Sequence, residues 1–321
     1  MPIRPRLPGR TRPRLVAAIL VLALLFVSGF AVVEANVLGM GERWDRWSSR
    51  ISMIIDPPPD RPTVKTVVVT PAPSPSPTAT LRPTPEPTLA PSATPTPSPT
   101  PLVREPVDVN LASDADAVFA HQLTDKDCAV AATQMVLAIL GLGDTSDAFQ
   151  EEIKGRIGEW ESRRDSLNGG WGPGAVSLAL TDYGATGYEV RAYETSTDAL
   201  RDAAIAIGEL RKPVVIFPWW GAHSWVMTGY RADADPTRFP DAEIEGAYIL
   251  DPWYPWVSSI WGPSDPPGTF EDVAELERNW PAHQGPPGYE SIGPGWTRPE
   301  GPYPDRDGRF VVLLPTTPRE R

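Results

Sequence analysis

The chain has 321 residues, and its 40 prolines are far above the usual share of about 5%, so a good part of it is not expected to pack into a globule. A formal net charge of -12 at pH 7 argues against nucleic-acid binding through phosphate contacts. The single cysteine excludes an intrachain disulfide, so an apolar core must stabilise the fold.

The N-terminal residues carry the pattern of a membrane-insertion signal. Residues 1–14 contain five arginines and no acid, and residues 15–33, LVAAILVLALLFVSGFAVV, are uncharged. An apolar stretch of this length can cross a hydrocarbon core as a helix, with the arginine-rich end in the cytoplasm. We predict a cytoplasmic basic tail over 1–14 and a single-pass signal anchor over 15–33, with the rest of the chain extracytoplasmic. The alternative is a cleaved signal with small residues Val33 and Ala35 at the cleavage site, which would give a secreted protein.

Two further segments precede the predicted domain. In residues 34–56, Trp44, Trp47 and Ile51 recur at helical spacing between arginines, which predicts an amphipathic juxtamembrane segment lying along the membrane surface. Residues 57–107 are rich in Pro, Thr and Ser, which favours a polyproline II spacer and would suit O-glycosylation. Fifty such residues would reach on the order of 150 Å. Within this linker, residues 63–70, TVKTVVVT, are β-prone and have no assigned role.

Residues 108–321 have the composition of one folded domain. They carry 17 basic against 34 acidic side chains, whereas residues 1–107 carry 12 against 7, so the two parts have different surroundings. A length of 214 residues suits a single domain.

The elements of this domain fall into a helical block followed by strands. Residues 129–142 predict a helix that is apolar on nearly every face, the pattern of a buried central helix, and a glycine ends it. Helices are also predicted over 149–161, 170–184 and 197–210, with a strand at YEVRAY. The runs PVVIF, SWVMTGY, AYILD and RFVVLL then predict an antiparallel sheet, so the fold class is α+β. Residues 252–308, rich in Trp, Pro and Gly, predict long ordered loops.

Cys128 stands at the start of the predicted central helix. Unpaired backbone amides and the helix dipole favour an anion at this position, and the thiolate is the nucleophilic form of cysteine. The alternative is an inert, small core residue.

A nucleophilic thiol needs a base, and the chain has three histidines. His223 lies at the head of an apolar strand, so we expect it to project rigidly from the edge of the sheet; the alternative is a structural histidine between tryptophans. His121 is close to Cys128 in sequence and His283 lies among loop formers, so both can be surface residues.

Two more side chains complete a catalytic pattern. Asp251 follows a strand and precedes a proline, where a carboxylate could orient the imidazole or, alternatively, cap a turn. Gln122 could donate its side-chain amide to an oxyanion beside the backbone amide of Cys128. The order Gln, Cys, His, Asp and the elements that carry them agree with nucleophilic catalysis.

At these residues the sequence resembles the papain-like cysteine peptidases, and among them the double-glycine leader peptidases of bacteriocin exporters. The resemblance covers roughly residues 115–260 and rests on QLTDKDCAVAATQMVL, on LRKPVVIF followed by GAHSWVMTGY, and on AYILDPW. It implies a papain-like fold, with a central helix packed on an antiparallel sheet. It also implies that Cys128 is the nucleophile, His223 the base, Asp251 the orienting group and Gln122 the oxyanion donor.

The sequence departs from this family in two respects. Many relatives have Cys-Gly-Pro at the nucleophile, where this chain has CAV, so the local turn differs. No phosphate-binding glycine loop of an exporter is present, so leader processing during export is not expected, and fold likeness does not carry the substrate.

The predicted function is that of a membrane-anchored, extracytoplasmic cysteine peptidase or amidase that acts through a thioester. One alternative is a transglutaminase-like acyl transferase. The other is a catalytically silent wall-binding or interaction module whose tryptophans line a groove, namely Trp219, Trp220, Trp253, Trp256 and Trp261. Most of these tryptophans are instead expected to have a structural role, packing in the core or anchoring loops.

The expected partners are a peptide or protein substrate, such as one associated with the cell wall, and the membrane through the N-terminal helix. We expect no nucleic acid. No cofactor motif is recognisable, and one cysteine with three scattered histidines offers no metal-ligand spacing.

Overall fold

The computed structural model describes residues 59–70, 103–166, 171–283 and 303–318. The predicted tail (1–14), signal anchor (15–33), juxtamembrane segment (34–56) and most of the linker therefore lie outside the described residues. Within those described ranges, no helix has the length and apolar character needed to cross a membrane.

Ten strands and six helices follow each other in the described residues. In chain order they are β1 (Val67–Val69), β2 (Val107–Asn110), α1 (Cys128–Leu140), α2 (Asp147–Gly155), α3 (Ile157–Trp160), α4 (Pro173–Asp182), β3 (Tyr188–Tyr193), α5 (Ser196–Leu210), β4 (Val214–Ile216), β5 (Trp225–Ala232), β6 (Ile244–Leu250), β7 (Val257–Ser258), β8 (Gly262–Pro263), β9 (Thr269–Asp272), α6 (Val273–Asn279) and β10 (Phe310–Pro315).

Eight of the strands form one sheet. Seven of them follow the order β1-β3-β10-β4-β5-β6-β9, and the eighth, β2, pairs with the C-terminal part of β5. Every pair is antiparallel except β1 with β3. β7 and β8 form a separate hairpin. The last strand, β10, lies between β3 and β4, so the C-terminal part of the chain completes the middle of the sheet.

Both faces of the sheet are covered because its strands are apolar on both sides. Val215 and Val226 pack on one face with α1 and α4, whereas Val214 and Met227 pack on the other with α5. This alternation is the period of two expected of a strand. The result is a mixed α/β structure with a large, mainly antiparallel sheet and several helices, an architecture compatible with a papain-like fold.

Helix α1 is the buried central helix that the sequence predicts. Its apolar side chains, such as Met135 and Leu137, are buried, and Gly141 ends it in a left-handed conformation with φ 75°. The helix begins one residue earlier than predicted, at Cys128.

The single helix predicted over 149–161 is wrong, because the chain forms two helices there. Arg156, with φ -95° and ψ 3°, ends α2 and precedes α3. Gly155 and Gly158 flank this break, and glycine has a low helix propensity.

The prediction of loops over 252–308 is also wrong for residues 269–279. β9 pairs with β6, and Asp272 caps α6 by accepting from the backbone amide of Glu275 at 2.9 Å. Leu276 and Trp280 are buried in the apolar cluster beneath α5, which explains why this segment is ordered against the sheet.

Part of the predicted linker, residues 59–70 and 103–107, belongs to the folded unit. The β-prone residues 63–70, which had no assigned role, contain strand β1, and β1 pairs with β3. Asp60 forms ion pairs with Arg163 at 2.6 Å and with Arg164. At the other end of the linker, Arg104 pairs with Asp233 at 2.8 Å. The short run of valines is extended because the edge of β3 offers it a hydrogen-bonding partner.

Candidate active site

Cys128 is the first residue of α1 and is partly exposed. The preceding residue, Asp127, is buried; its backbone carbonyl accepts from the amide of Ala131 at 2.9 Å, and its carboxylate pairs with Lys154 at 2.9 Å. The start of the helix is therefore fixed to α2, which holds the thiol at a defined place on the surface.

His223 lies two residues before β5 and is only 2% exposed. Its Nε2 is 2.6 Å from Oδ1 of Asp251, and the side chain of Cys128 is near enough to the ring to help raise the pKa of His223. An imidazole has two ring nitrogens, and with Nε2 facing Asp251, Nδ1 is the one available to a thiol. The ring is therefore paired with the carboxylate on one side and has Cys128 in its neighbourhood.

Asp251 follows β6 and is 4% exposed. Its Oδ1 also accepts from the backbone amide of Trp253 at 2.8 Å, and Ser264 helps to lower the pKa of the carboxylate. Because β5 and β6 are adjacent, with Val226 opposite Leu250, His223 and Asp251 emerge at the same end of the sheet.

The charges of the pair support each other. Burial alone would lower the pKa of His223, but the charge and hydrogen bond of Asp251, together with Cys128, raise this pKa to about 9. Burial would raise the pKa of Asp251, but the charge and hydrogen bond of His223 lower it below its ordinary value. An imidazolium facing a carboxylate is the stable arrangement at neutral pH.

Gln122 is fully buried beside the residues that follow Asp251. Its backbone amide donates to the carbonyl of Pro252 at 3.0 Å, and its side-chain Nε2 donates to the carbonyl of Thr124 at 2.7 Å. Neither bond leads to Cys128 or His223, and its Oε1 is buried without a hydrogen-bond partner. The second N–H of the side-chain amide is the one that could serve an oxyanion.

Trp219 covers one face of the His223 ring. The two rings are stacked with centroids 4.0 Å apart and an interplanar angle of 18°, and Trp261 is parallel to Trp219 at 6.0 Å. The stack depends on an uncommon turn, since Trp219 and Trp220 have φ values of 56° and 60°. Left-handed backbone costs free energy in residues other than glycine, and such strain tends to occur at functional sites. The residues WWG, 219–221, stand just before His223 in the sequence, but the turn that they form was not predicted.

The other two histidines both have partners, but only His283 is buried, whereas His121 is partly exposed. Nδ1 of His121 lies 2.8 Å from the carbonyl oxygen of Tyr254, and its ring meets that of Trp256 edge-on at 4.4 Å. His283 is 8% exposed, with Nδ1 2.9 Å from Oδ1 of Asp307. The sequence did not indicate these contacts, because the partner of each histidine lies far from it along the chain.

Comparison with known proteins gives one distant likeness. No protein-family model matches the chain, and no curated protein matches it. Among solved structures, it is similar to the crystal structure of a double glycine motif protease from an AMS/PCAT transporter in complex with the leader peptide. The two chains are 17% identical, the match covers 65% of this chain and 99% of that one, and the TM-score is 0.32. This likeness is too distant to assign the chain to a family.

Proposed function

We propose that this protein is a cysteine hydrolase that cleaves a peptide or amide bond through Cys128, His223 and Asp251, on a papain-like fold. The observation that carries the proposal is the position of the buried His223 ring, which is 2.6 Å from Asp251 and near enough to Cys128 for the thiol to affect the pKa of His223. This is the arrangement of nucleophile, base and orienting group that covalent catalysis requires.

The reaction follows from these positions. The Cys128 thiolate attacks the carbonyl carbon of the substrate, a carbon–sulfur bond forms, and the carbonyl oxygen becomes an oxyanion. The backbone N–H of Cys128 and the second side-chain N–H of Gln122 stabilise this charge. Collapse breaks the carbon–nitrogen bond, and the leaving amine takes the proton from Nδ1 of His223.

Hydrolysis of the thioester returns the site to its starting state. Neutral His223 accepts a proton from water, whose oxygen attacks the thioester carbonyl, and the carbon–sulfur bond then breaks to release a carboxylic acid and the thiolate. Asp251 keeps the ring oriented and stabilises its cationic form in both steps. An amine in place of water would give acyl transfer instead.

We further propose that the enzyme is anchored in a membrane by residues 15–33 and faces the extracytoplasmic side. The basic tail, the uncharged apolar segment and the Pro-rich linker support this topology. Fusing a reporter enzyme that is active only outside the cytoplasm to the C-terminus tests it, because an inactive reporter would contradict the proposed orientation.

Alkylation of the only cysteine tests the chemistry. The full-length chain in mild detergent is treated with iodoacetamide at pH 6, beside the variants His223→Ala and His121→Ala. Rapid labelling that is lost in His223→Ala and kept in His121→Ala supports an activated thiolate. Equal, slow labelling of all three proteins would contradict the proposal. A fluorogenic peptide library, with Cys128→Ala as control, then identifies the substrate.

A second candidate is a peptide-binding module without turnover. The observation that favours it is the flat stack of Trp219 on His223, since an aromatic surface beside the pair would suit ligand binding. Binding of library peptides that are never cleaved by the wild-type chain would select this candidate.

A further inference from the structure

The segment that carries the proposed oxyanion donor is held on one side by a single buried side chain. We call residues 121–123 the Gln122 loop. Gln150, on α2, accepts from the backbone amide of Leu123 through Oε1 at 2.9 Å and donates from Nε2 to the carbonyl of His121 at 2.9 Å. One side-chain amide therefore bonds the backbone on both sides of Gln122.

Gln150 is itself fixed to the helix of the nucleophile. Its Nε2 also donates to Oε1 of Gln134, on α1, at 2.8 Å. The amide of Gln134 in turn donates to the carbonyls of Asp144 and Ser146 at 3.0 and 2.9 Å. Both glutamines are buried, and their hydrogen bonds are satisfied, so this network specifies one arrangement of the loop relative to α1.

The opposite side of the Gln122 loop is bound to the segment after Asp251. The backbone amide of Gln122 donates to Pro252, and Nδ1 of His121 lies 2.8 Å from the carbonyl oxygen of Tyr254. The loop thus bridges the element that starts with the thiol and the segment that follows the carboxylate. On the side of the loop that faces α1 and α2, the loop backbone is hydrogen-bonded to the side chain of Gln150.

We propose that Gln150 is a positioning residue for catalysis, which acts by holding Gln122 where its amide meets the developing oxyanion. The inference rests on the proposed function. Oxyanion donors act only when they are preorganised, and displacement by about 1 Å can cost on the order of a hundredfold in rate. Gln150 touches neither substrate nor thiol, so its effect must pass through the loop.

Two reagents separate this role from thiol activation. Iodoacetamide alkylates the thiolate by displacement of iodide at a saturated carbon, so no oxyanion forms. With p-nitrophenyl acetate, the thiolate attacks a carbonyl, an oxyanion forms, and p-nitrophenolate leaves with the bonding electrons to give an acetyl thioester. Cys128→Ala supplies the background rate of each reagent, since the chain has one cysteine.

The test uses the full-length chain with Gln150→Met, which keeps the side-chain volume, and with Gln150→Glu, which keeps the acceptor for Leu123. Gln150→Met should lower the acylation rate by about tenfold or more while the alkylation rate stays within about twofold. Gln122→Ala should give the same pattern. The double variant should lose no more than either single one, because the two residues act as a unit.

Ser177→Ala is the matched control, because it removes a buried hydrogen bond to the carbonyl of Tyr188, at 2.8 Å, that plays no part in the Gln122 loop. It should change neither rate. Equal loss of both rates in the Gln150 variants, unchanged acylation, or additive losses in the double variant would overturn the inference. Alkylation that does not depend on His223 would instead contradict the proposed function, so the two failures are distinct.

Discussion

Two buried histidines are each paired with a carboxylate in the described part of the domain, and their surroundings differ. His223 and Asp251 are 2.6 Å apart, and Cys128 is near enough to help raise the pKa of His223. His283 and Asp307 are 2.9 Å apart, but the free edge of the His283 ring lies against Gly221. A Cβ at Gly221 would come within 2.2 Å of Cδ2 of His283.

Under the proposed function, a buried histidine paired with a carboxylate is not by itself a catalytic feature. What distinguishes the first pair is a thiol as third partner; the second pair has a backbone turn in that place. Since this turn carries Trp219, which stacks on His223, the second pair supports the first. One pair is expected to affect chemistry and the other mainly stability.

The largest effect is expected from replacing each of the two histidines with alanine. His223→Ala should lower turnover of a cleaved peptide by about a thousandfold or more, because base and acid are lost together. His283→Ala should keep most of the turnover but lower the free energy of unfolding by about 1–3 kcal/mol through its lost hydrogen bond. Steady-state kinetics and urea unfolding measure the two quantities. Equal losses of turnover would erase the proposed distinction.

Replacing each of the two carboxylates with an amide should give the next largest effect. Asp251→Asn should lower kcat by about 10- to 100-fold. It also removes the negative charge that helps to raise the pKa of His223 to about 9, so this pKa should fall. Because protonated His223 is the acid, activity is lost as pH rises through this pKa, and the basic limb of the kcat profile should move to lower pH. Asp307→Asn should leave that limb in place; an equal shift in both variants would refute this prediction.

A smaller effect is expected where the two pairs meet. Gly221→Ala should lower the free energy of unfolding by about 1–3 kcal/mol, because Gly221 has φ 86° and no room beside His283. Gly262→Ala is a matched control, since Gly262 has φ 88° with nothing within 4 Å of its added Cβ. His283→Ala in the Gly221→Ala background should recover part of the loss. If both glycine variants unfold at the same urea concentration, His283 does not press on this turn.

The last effect concerns Glu271, a buried carboxyl without an imidazole partner, and it shows only in the pH dependence of stability. Oε2 of Glu271 is buried without a hydrogen-bond partner, and burial, together with Glu275 and two aspartates, raises the pKa of Glu271 to about 8. Its contribution to stability is therefore fully present below its unfolded pKa, about 4.3, and is lost as pH rises through about 8.

The stability advantage of Glu271→Gln over the wild type should therefore be larger at pH 9 than at pH 5, by about 3–4 kcal/mol. Urea unfolding at both pH values measures this quantity. The difference isolates Glu271, since His223 titrates in both proteins. An identical pH dependence in the two proteins would show that Glu271 ionises as readily as an exposed acid.

Local patterns in the sequence were sufficient for much of the fold. Helix α1 and strands β3, β4, β5, β6 and β10 were predicted because each is an apolar run with a clear period and a Gly, Pro or Asp at its end. The same boundaries brought Cys128, His223 and Asp251 to element ends, where polar side chains can converge.

Features that depend on distant partners were not predicted. β1 is three valines inside a Pro-rich stretch, and only the edge of β3 makes it a strand. Gln150 has the sequence environment of an exposed position on a charged helix, so its bonds to the Gln122 loop leave no local signal. The same holds for His283, whose carboxylate partner lies 24 residues away.

The central claim is that the thiol of Cys128 and the imidazole of His223 are in contact, and NMR titration of the histidine side chains tests it most directly. The three histidines are assigned by substitution in the full-length chain, and His223 is followed in the wild type and in Cys128→Ala. We predict a midpoint near pH 9 in the wild type and a lower one in Cys128→Ala, because Cys128 contributes to the raised pKa of His223. An identical midpoint in both proteins would contradict the contact and, with it, the proposed hydrolase.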